Sequence, residues 1–288
     1  MLRNWKKKLK RYRYTCKSRY LLGLLILLQS GQSLCLPDIP SFMDCEDIVF
    51  NSGFQDDSNP TNGSGGILGA QTRSVFSNGQ NRNYHIYVPS NYTDNNPLPL
   101  MILYHGAGGA GTSPSQAIAM RNFWQTAAEN NNYIIMAQES TGASGGWVPG
   151  TDFPILSDLL GDMYLDYNIE QARIYGYGFS AGAHVMHTLM LFNSLEFAAY
   201  IVSAGVLEAH AGVNAPANAD RIIPVYVSIG INDASLIPFV QSNHIVFNNA
   251  GWIDDETYWL DEFNGGHQVD IQIQQKSWDK VCTFSNLQ

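Results

Sequence analysis

Between residues 72 and 263 the chain alternates short apolar runs with longer stretches of helical period. Leu98–Tyr104 (LPLMILY) is apolar on both faces, as is the run 133–137 (YIIMA). Three more such runs follow, at 173–177, 198–203 and 222–229, and Tyr258–Phe263 reads as a last strand. Runs apolar on both faces are the mark of strands buried between two layers. Helical spacing covers 115–130, with Pro114 near its start, then 153–168, then the apolar stretch 183–192. Before all of these, 72–77 and 83–88 read as two strands joined through Asn78-Gly79, a hairpin signal. Alternation after His267 assigns no element, and the chain shows neither an internal repeat nor a heptad pattern. A hairpin followed by strand–helix alternation predicts an α/β fold with a mostly parallel sheet covered on both faces. Ligands in such sheets gather at the carboxyl ends of the strands.

Composition changes the picture at the N-terminus. Nine of the 16 Lys and Arg residues stand in the first twenty positions with no acid among them, leaving seven against 25 acidic residues. That acidic body excludes nucleic acid and anionic membranes as electrostatic partners. Residues 21–28 (LLGLLILL) are too few to span a bilayer. With the basic stretch before them and small residues near Gly31-Gln32-Ser33, they predict a secretory signal peptide over 1–33, or else an N-terminal anchor. Residues 34–71 are rich in Gly, Asn and Ser and read as a linker-like segment; 72–288 is the expected catalytic domain. Export leaves Cys35, Cys45 and Cys282 after the signal, hence one disulfide and one spare thiol, with Cys45–Cys282 as the expected pair. No cysteine forms a C-x-x-C pair or joins a histidine cluster, so neither a zinc site nor cysteine catalysis is expected. Asn62 and Asn91 open N-x-S/T sequons.

The chemistry is carried by Gly178-Phe179-Ser180-Ala181-Gly182, placed between a strand-like and a helix-like run. A serine on such a turn is held in a strained conformation with its hydroxyl lifted clear of the sheet, poised to attack carbonyl carbons. Gly142-Ala143-Ser144-Gly145-Gly146 matches the same pattern, but Trp147-Val148-Pro149-Gly150 follows and does not open a helix, so Ser144 reads as part of a glycine-rich loop.

A serine nucleophile needs a base, a carboxylate to orient the base, and donors for the developing oxyanion. His105-Gly106-Ala107-Gly108-Gly109 follows the Leu98–Tyr104 strand, so Ala107 or Gly106 is the expected upstream N–H donor, with the Ala181 N–H as the second. His105 reads mainly as a hydrogen-bonding residue of that turn and secondarily as a substrate contact. Trp147 reads mainly as packing, with an aromatic wall of the cleft as the secondary reading. Of seven histidines, His267 alone follows a strand through a glycine turn, Asn264-Gly265-Gly266, and is the expected base. His85 lies in a strand, His184 and His187 on the helix after Ser180, and His210 and His244 in loop-like stretches. Asp233 is the first carboxylate after the 222–229 strand and is the expected acid. Asp254 and Asp255 sit in a charged run, and Asp220 precedes the strand at the wrong end.

Taken together, residues 82–89 (RNYHIYVP), 103–106 (LYHG), 167–175 leading into the serine pentapeptide, Gly230-Ile231-Asn232-Asp233 and Gly265-Gly266-His267 resemble the α/β-hydrolase fold. More narrowly they resemble the secreted polyhydroxybutyrate depolymerase and feruloyl or acetylxylan esterase group, over roughly residues 73–275. The resemblance implies a Ser180, Asp233, His267 triad, no cofactor, and an ester substrate that is polymeric in many such enzymes. Tyr177 replaces a smaller residue, and Ala234-Ser235 stands where a proline usually follows the acid. A lipase or peptidase on the same fold, and a non-catalytic binding protein, are the alternatives.

Overall fold

The computed structural model describes residues 59–287. Among them, eight strands form one sheet in the order β1-β2-β4-β3-β5-β6-β7-β8. The strands are β1 Gly69–Ser77, β2 Gln80–Val88, β3 Leu98–Tyr104, β4 Ile134–Gln138, β5 Ile169–Phe179, β6 Ala199–Ser203, β7 Val225–Gly230 and β8 Tyr258–Phe263. β2 runs antiparallel to both β1 and β4, and every later pairing is parallel. The helices are α1 Ser113–Asn131, α2 Pro149–Asp166, α3 Ala181–Phe192, α4 Ile237–Asn249 and α5 Ile273–Val281. This is the α/β-hydrolase fold expected from the sequence.

The hairpin closes as its turn residues require. Ser77 pairs with Gln80, so only Asn78 and Gly79 form the loop, at φ 47° and 77°. Two successive positive φ values are those of a type I′ turn, which Asn-Gly tolerates. β3 shows how the sheet divides the core. Leu100, Ile102 and Tyr104 pack on the face covered by α2, α3 and α4, while Met101 and Leu103 pack on the face covered by α1 and α5. This is the period of two expected of a strand buried on both sides.

Four elements differ most from the sequence reading. β5 begins at Ile169, not residue 173, and α2 begins at Pro149, not residue 153. Asp152 explains the earlier start: its carboxylate accepts the N–H groups of Val148 (2.6 Å) and Thr141 (3.1 Å), satisfying donors that would otherwise be stranded at the helix entry. α4, read as loop, is a helix whose buried residues Val240, Asn243 and Phe247 repeat at three and four. α5 lies in the segment that assigned no element; Ile273, Ser277, Trp278 and Val281 bury one face. The expected signal peptide, Cys35 and Cys45 lie outside the described residues, and with them the expected pairing of Cys45 with the buried Cys282. No helix among the described residues is long and apolar enough to cross a membrane.

Candidate active site

Ser180 caps α3 directly after β5, at φ 52°, ψ −119°. A non-glycine residue in this region is strained and persists only where its surroundings hold it. Here its N–H bonds the carbonyl of Ser203 on β6 (2.9 Å) and its carbonyl accepts the N–H of His184 (3.0 Å). Gly182 permits the sharp turn: a Cβ there would stand 2.3 Å from the Tyr104 carbonyl oxygen and 2.6 Å from that of His105. Ser144, in contrast, lies in a turn of the 142–148 loop.

Two further strand ends converge on Ser180. The Ile231 and Asn232 N–H groups bond the Phe263 and Gly265 carbonyls (both 2.9 Å), joining the loop after β7 to the loop after β8. Asp233 and His267 therefore meet although 34 residues separate them. His267 Nε2 is 2.8 Å from Ser180 Oγ, and its Nδ1 is 2.6 Å from Asp233 Oδ2. The Asp233 side chain is 2% exposed and that of His267 44%, so the carboxylate is shielded while the imidazole reaches the cleft. Burial works to raise the Asp233 pKa, but hydrogen bonds from His267 and Ser235, and the field of the imidazole, outweigh it and leave it below the usual carboxylate range. Ser235 Oγ donates to Asp233 Oδ1 at 2.7 Å. The hydroxyl two residues beyond the acid was visible in the sequence, but its contact with Asp233 follows from the turn geometry.

The other candidates separate cleanly. His105 is 1% exposed, so it does not touch a ligand. Its Nδ1–H donates to the Gly106 carbonyl (2.8 Å), and its Nε2 accepts from Ser113 Oγ (3.0 Å). Burial depresses its pKa and keeps the ring neutral. Because a trans peptide directs its N–H opposite to its C=O, holding the Gly106 carbonyl aims the Ala107 N–H away from His105. Trp147 is 7% exposed and offers the cleft little surface. Its ring stacks on Tyr104 (3.9 Å, 17°) and its N–H donates to the His105 carbonyl (2.8 Å), supporting the same loop from beneath. The Ala181 N–H belongs to the first residue of α3, one of the donors that a helix start leaves without an intrahelical partner.

His85 bonds Thr72 and Glu139 within the sheet, and His187 bonds Tyr200 in the core. His244, expected in a loop, lies on α4, stacked on Tyr258 and bonded to Asp254 (2.6 Å). That pairing occupies the rival acid Asp254, and Asp220 lies before β7, at the opposite end of the strand from Asp233. His210 is exposed beside a short 3₁₀ turn, Leu207–Ala209. Among the described residues, no group of three or more His, Cys, Asp or Glu side chains could hold a metal ion.

Fold and site together define an α/β-hydrolase-fold protein with a serine, histidine and aspartate in hydrogen-bonded sequence. Comparison with known proteins narrows the likeness to carboxylic ester hydrolases. The chain is 28% identical over 157 residues to a bifunctional acetylxylan esterase/xylanase of Neocallimastix patriciarum, covering 54% of this chain and 22% of that protein. It is 24% identical over 179 residues to feruloyl esterase D of Neurospora crassa, covering 59% of each. The match thus spans less than two thirds of either relative. A solved ferulic acid esterase of Anaeromyces mucronatus, with ferulic acid bound, shares the fold at a TM-score of 0.59 and 14% identity, over 84% of this chain and 96% of the other. No family model matches the chain.

Proposed function

We propose that this chain is an exported serine esterase that cleaves carboxylic esters through an acyl-enzyme on Ser180. The observation that carries the reading is the continuous chain from Ser180 Oγ through His267 to the shielded Asp233 carboxylate, at 2.8 and 2.6 Å. His267 Nε2 takes the Ser180 proton as Oγ attacks the ester carbonyl, and Asp233 orients the ring and stabilises the imidazolium. The N–H groups of Ala181 and Ala107, with Gly106 as the neighbouring donor, receive the oxyanion. His267 then protonates the departing alcohol, and water activated by the same imidazole releases the acid. Each proton transfer uses a group of the chain itself. Export follows from reading residues 1–33 as a signal peptide, and N-terminal sequencing of protein recovered from culture medium tests it.

The relatives favour a feruloyl or acetyl ester of a polysaccharide as the substrate class. A hydrolysis panel tests this: methyl ferulate, feruloylated arabinoxylan, acetylated xylan, hydroxybutyrate oligomers, long-chain acyl esters and a peptide amide. The expected result is turnover of feruloyl or acetyl esters, abolished in Ser180→Ala. Folded protein that turns over no ester, or an Ala variant as fast as the wild type, overturns the proposal. Peptide cleavage without ester cleavage assigns the site to a peptidase instead.

A further inference from the structure

A second imidazole stands beside the proposed triad and has no part in it. His184 lies four residues after Ser180, and its backbone N–H donates to the Ser180 carbonyl (3.0 Å), so its ring stands on the first turn of α3. Its Nδ1 accepts the N–H of Val206 at 2.9 Å. A backbone N–H can only donate, so Nδ1 holds a lone pair and the ring hydrogen resides on Nε2. Burial keeps the ring uncharged. The fields of His210 and His267 act in the same direction, and that of Glu208 opposes them. His184 is half-buried, and among the described residues its Nε2 has neither a hydrogen-bond acceptor nor a place among the sealed polar atoms. An N–H donor with a fixed tautomer is thus left open to solvent within electrostatic range of His267.

The turn that holds this ring is itself held. Asn243, 3% exposed, accepts the Leu207 N–H (2.8 Å) and donates to both Glu208 carboxylate oxygens (3.0 Å each). Val206 is therefore clamped between β6 and α4, and the direction of the His184 donor is set before any ligand arrives.

Strand order then assigns a side of the cleft. β5, which ends just before Ser180, lies between β3 and β6. The proposed oxyanion loop follows β3, whereas Val206, Asp233 and His267 follow β6, β7 and β8. A tetrahedral adduct on Ser180 that points its oxyanion toward the β3 side directs its leaving oxygen toward His267, and the alcohol moiety lies over the β6 side. We infer that His184 binds the alcohol moiety of the ester, its Nε2–H donating to a hydroxyl or ring oxygen of a sugar. The inference rests on the esterase reading above and names which half of the substrate is recognised. His184 carries no proton in the reaction.

Paired esters with one acyl group test this: methyl ferulate against ferulate on arabinose, or methyl acetate against acetylated xylobiose, whichever acyl group the wild type accepts. His184→Asn keeps an acceptor near the position of Nδ1 for Val206 but removes the outer donor. His184→Gln carries an amide donor near the position of Nε2. The expected result is a fall of about tenfold in the kcat/KM ratio of sugar ester to methyl ester for the Asn variant, expressed in KM, with the Gln variant recovering most of it. Thermal unfolding of both variants confirms that they are folded. An Asn variant that slows both esters equally, or leaves the ratio unchanged, overturns the inference and leaves the esterase intact. A wild type that cleaves none of the four esters overturns the feruloyl and acetyl substrate class and this inference with it, and the wider ester panel decides the esterase reading separately.

Discussion

Acid should loosen the helix that carries Ser180, and His187 supplies a quantitative reason. It lies on α3 seven residues beyond the serine, 1% exposed, its Nδ1 3.1 Å from the Tyr200 hydroxyl. Burial holds the Tyr200 pKa well above its ordinary value, so the hydroxyl keeps its proton and donates to Nδ1. Burial, assisted by the field of His184, depresses the His187 pKa from 6.5 to about 3. The unfolded chain therefore takes up a proton below pH 6.5 that the folded chain refuses until about pH 3. Stability falls as pH drops through that window, and the loss saturates below the folded pKa. At 1.36 kcal/mol per unit the full loss is roughly 5 kcal/mol, of which roughly 3 kcal/mol has accrued by about pH 4.5. His187→Asn offers Tyr200 an acceptor but cannot titrate. Any constant cost of losing the ring cancels when each protein is compared with itself at two pH values. Urea unfolding at about pH 7.5 and pH 4.5 should show the wild type losing about 3 kcal/mol more than the variant. Equal losses in the two proteins would refute the reasoning.

Three further outcomes follow from the site. Asp233→Asn should lower kcat by about 10⁴ with little change in KM, because the amide stabilises the wrong imidazole tautomer; steady-state kinetics checks it. Trp147→Phe leaves the buried His105 carbonyl without its 2.8 Å donor and should cost roughly 1–3 kcal/mol in thermal stability, with a lower kcat as the oxyanion loop loosens. Gly182→Ala places a methyl 2.3 Å from the Tyr104 carbonyl oxygen and should yield little folded protein or an inactive one, read by circular dichroism and ester turnover.

Much of this site is legible in the sequence because its parts are local. Ser180 announces itself by a pentapeptide between a strand and a helix. His267 and Asp233 each follow a strand through a short turn, so counting strand ends brings both forward as candidates before any coordinate is seen. What escapes is set by long-range contact. α4 and α5 are short, and their buried faces include Asn243 and Ser277, polar residues that hide the apolar period. Asn243 is buried because it clamps the Leu207–Glu208 turn, a partner 35 residues away that no local pattern announces. Trp147 reads as packing from its residue type, but the partners it packs on, Tyr104 and the His105 carbonyl, emerge only from the fold. Asp152 stands just outside the helix read from the sequence, and the two loop N–H groups it accepts are visible only in the fold.

The central claim is that the Ser180 hydroxyl is an activated nucleophile, and covalent trapping tests it most directly. Folded protein is treated with a fluorophosphonate at neutral pH, and the modified peptide is located by mass spectrometry. The account predicts one adduct, on Ser180, formed at a rate that drops sharply in His267→Ala. An unmodified Ser180 in folded protein, or labelling that His267→Ala leaves unchanged, would contradict it.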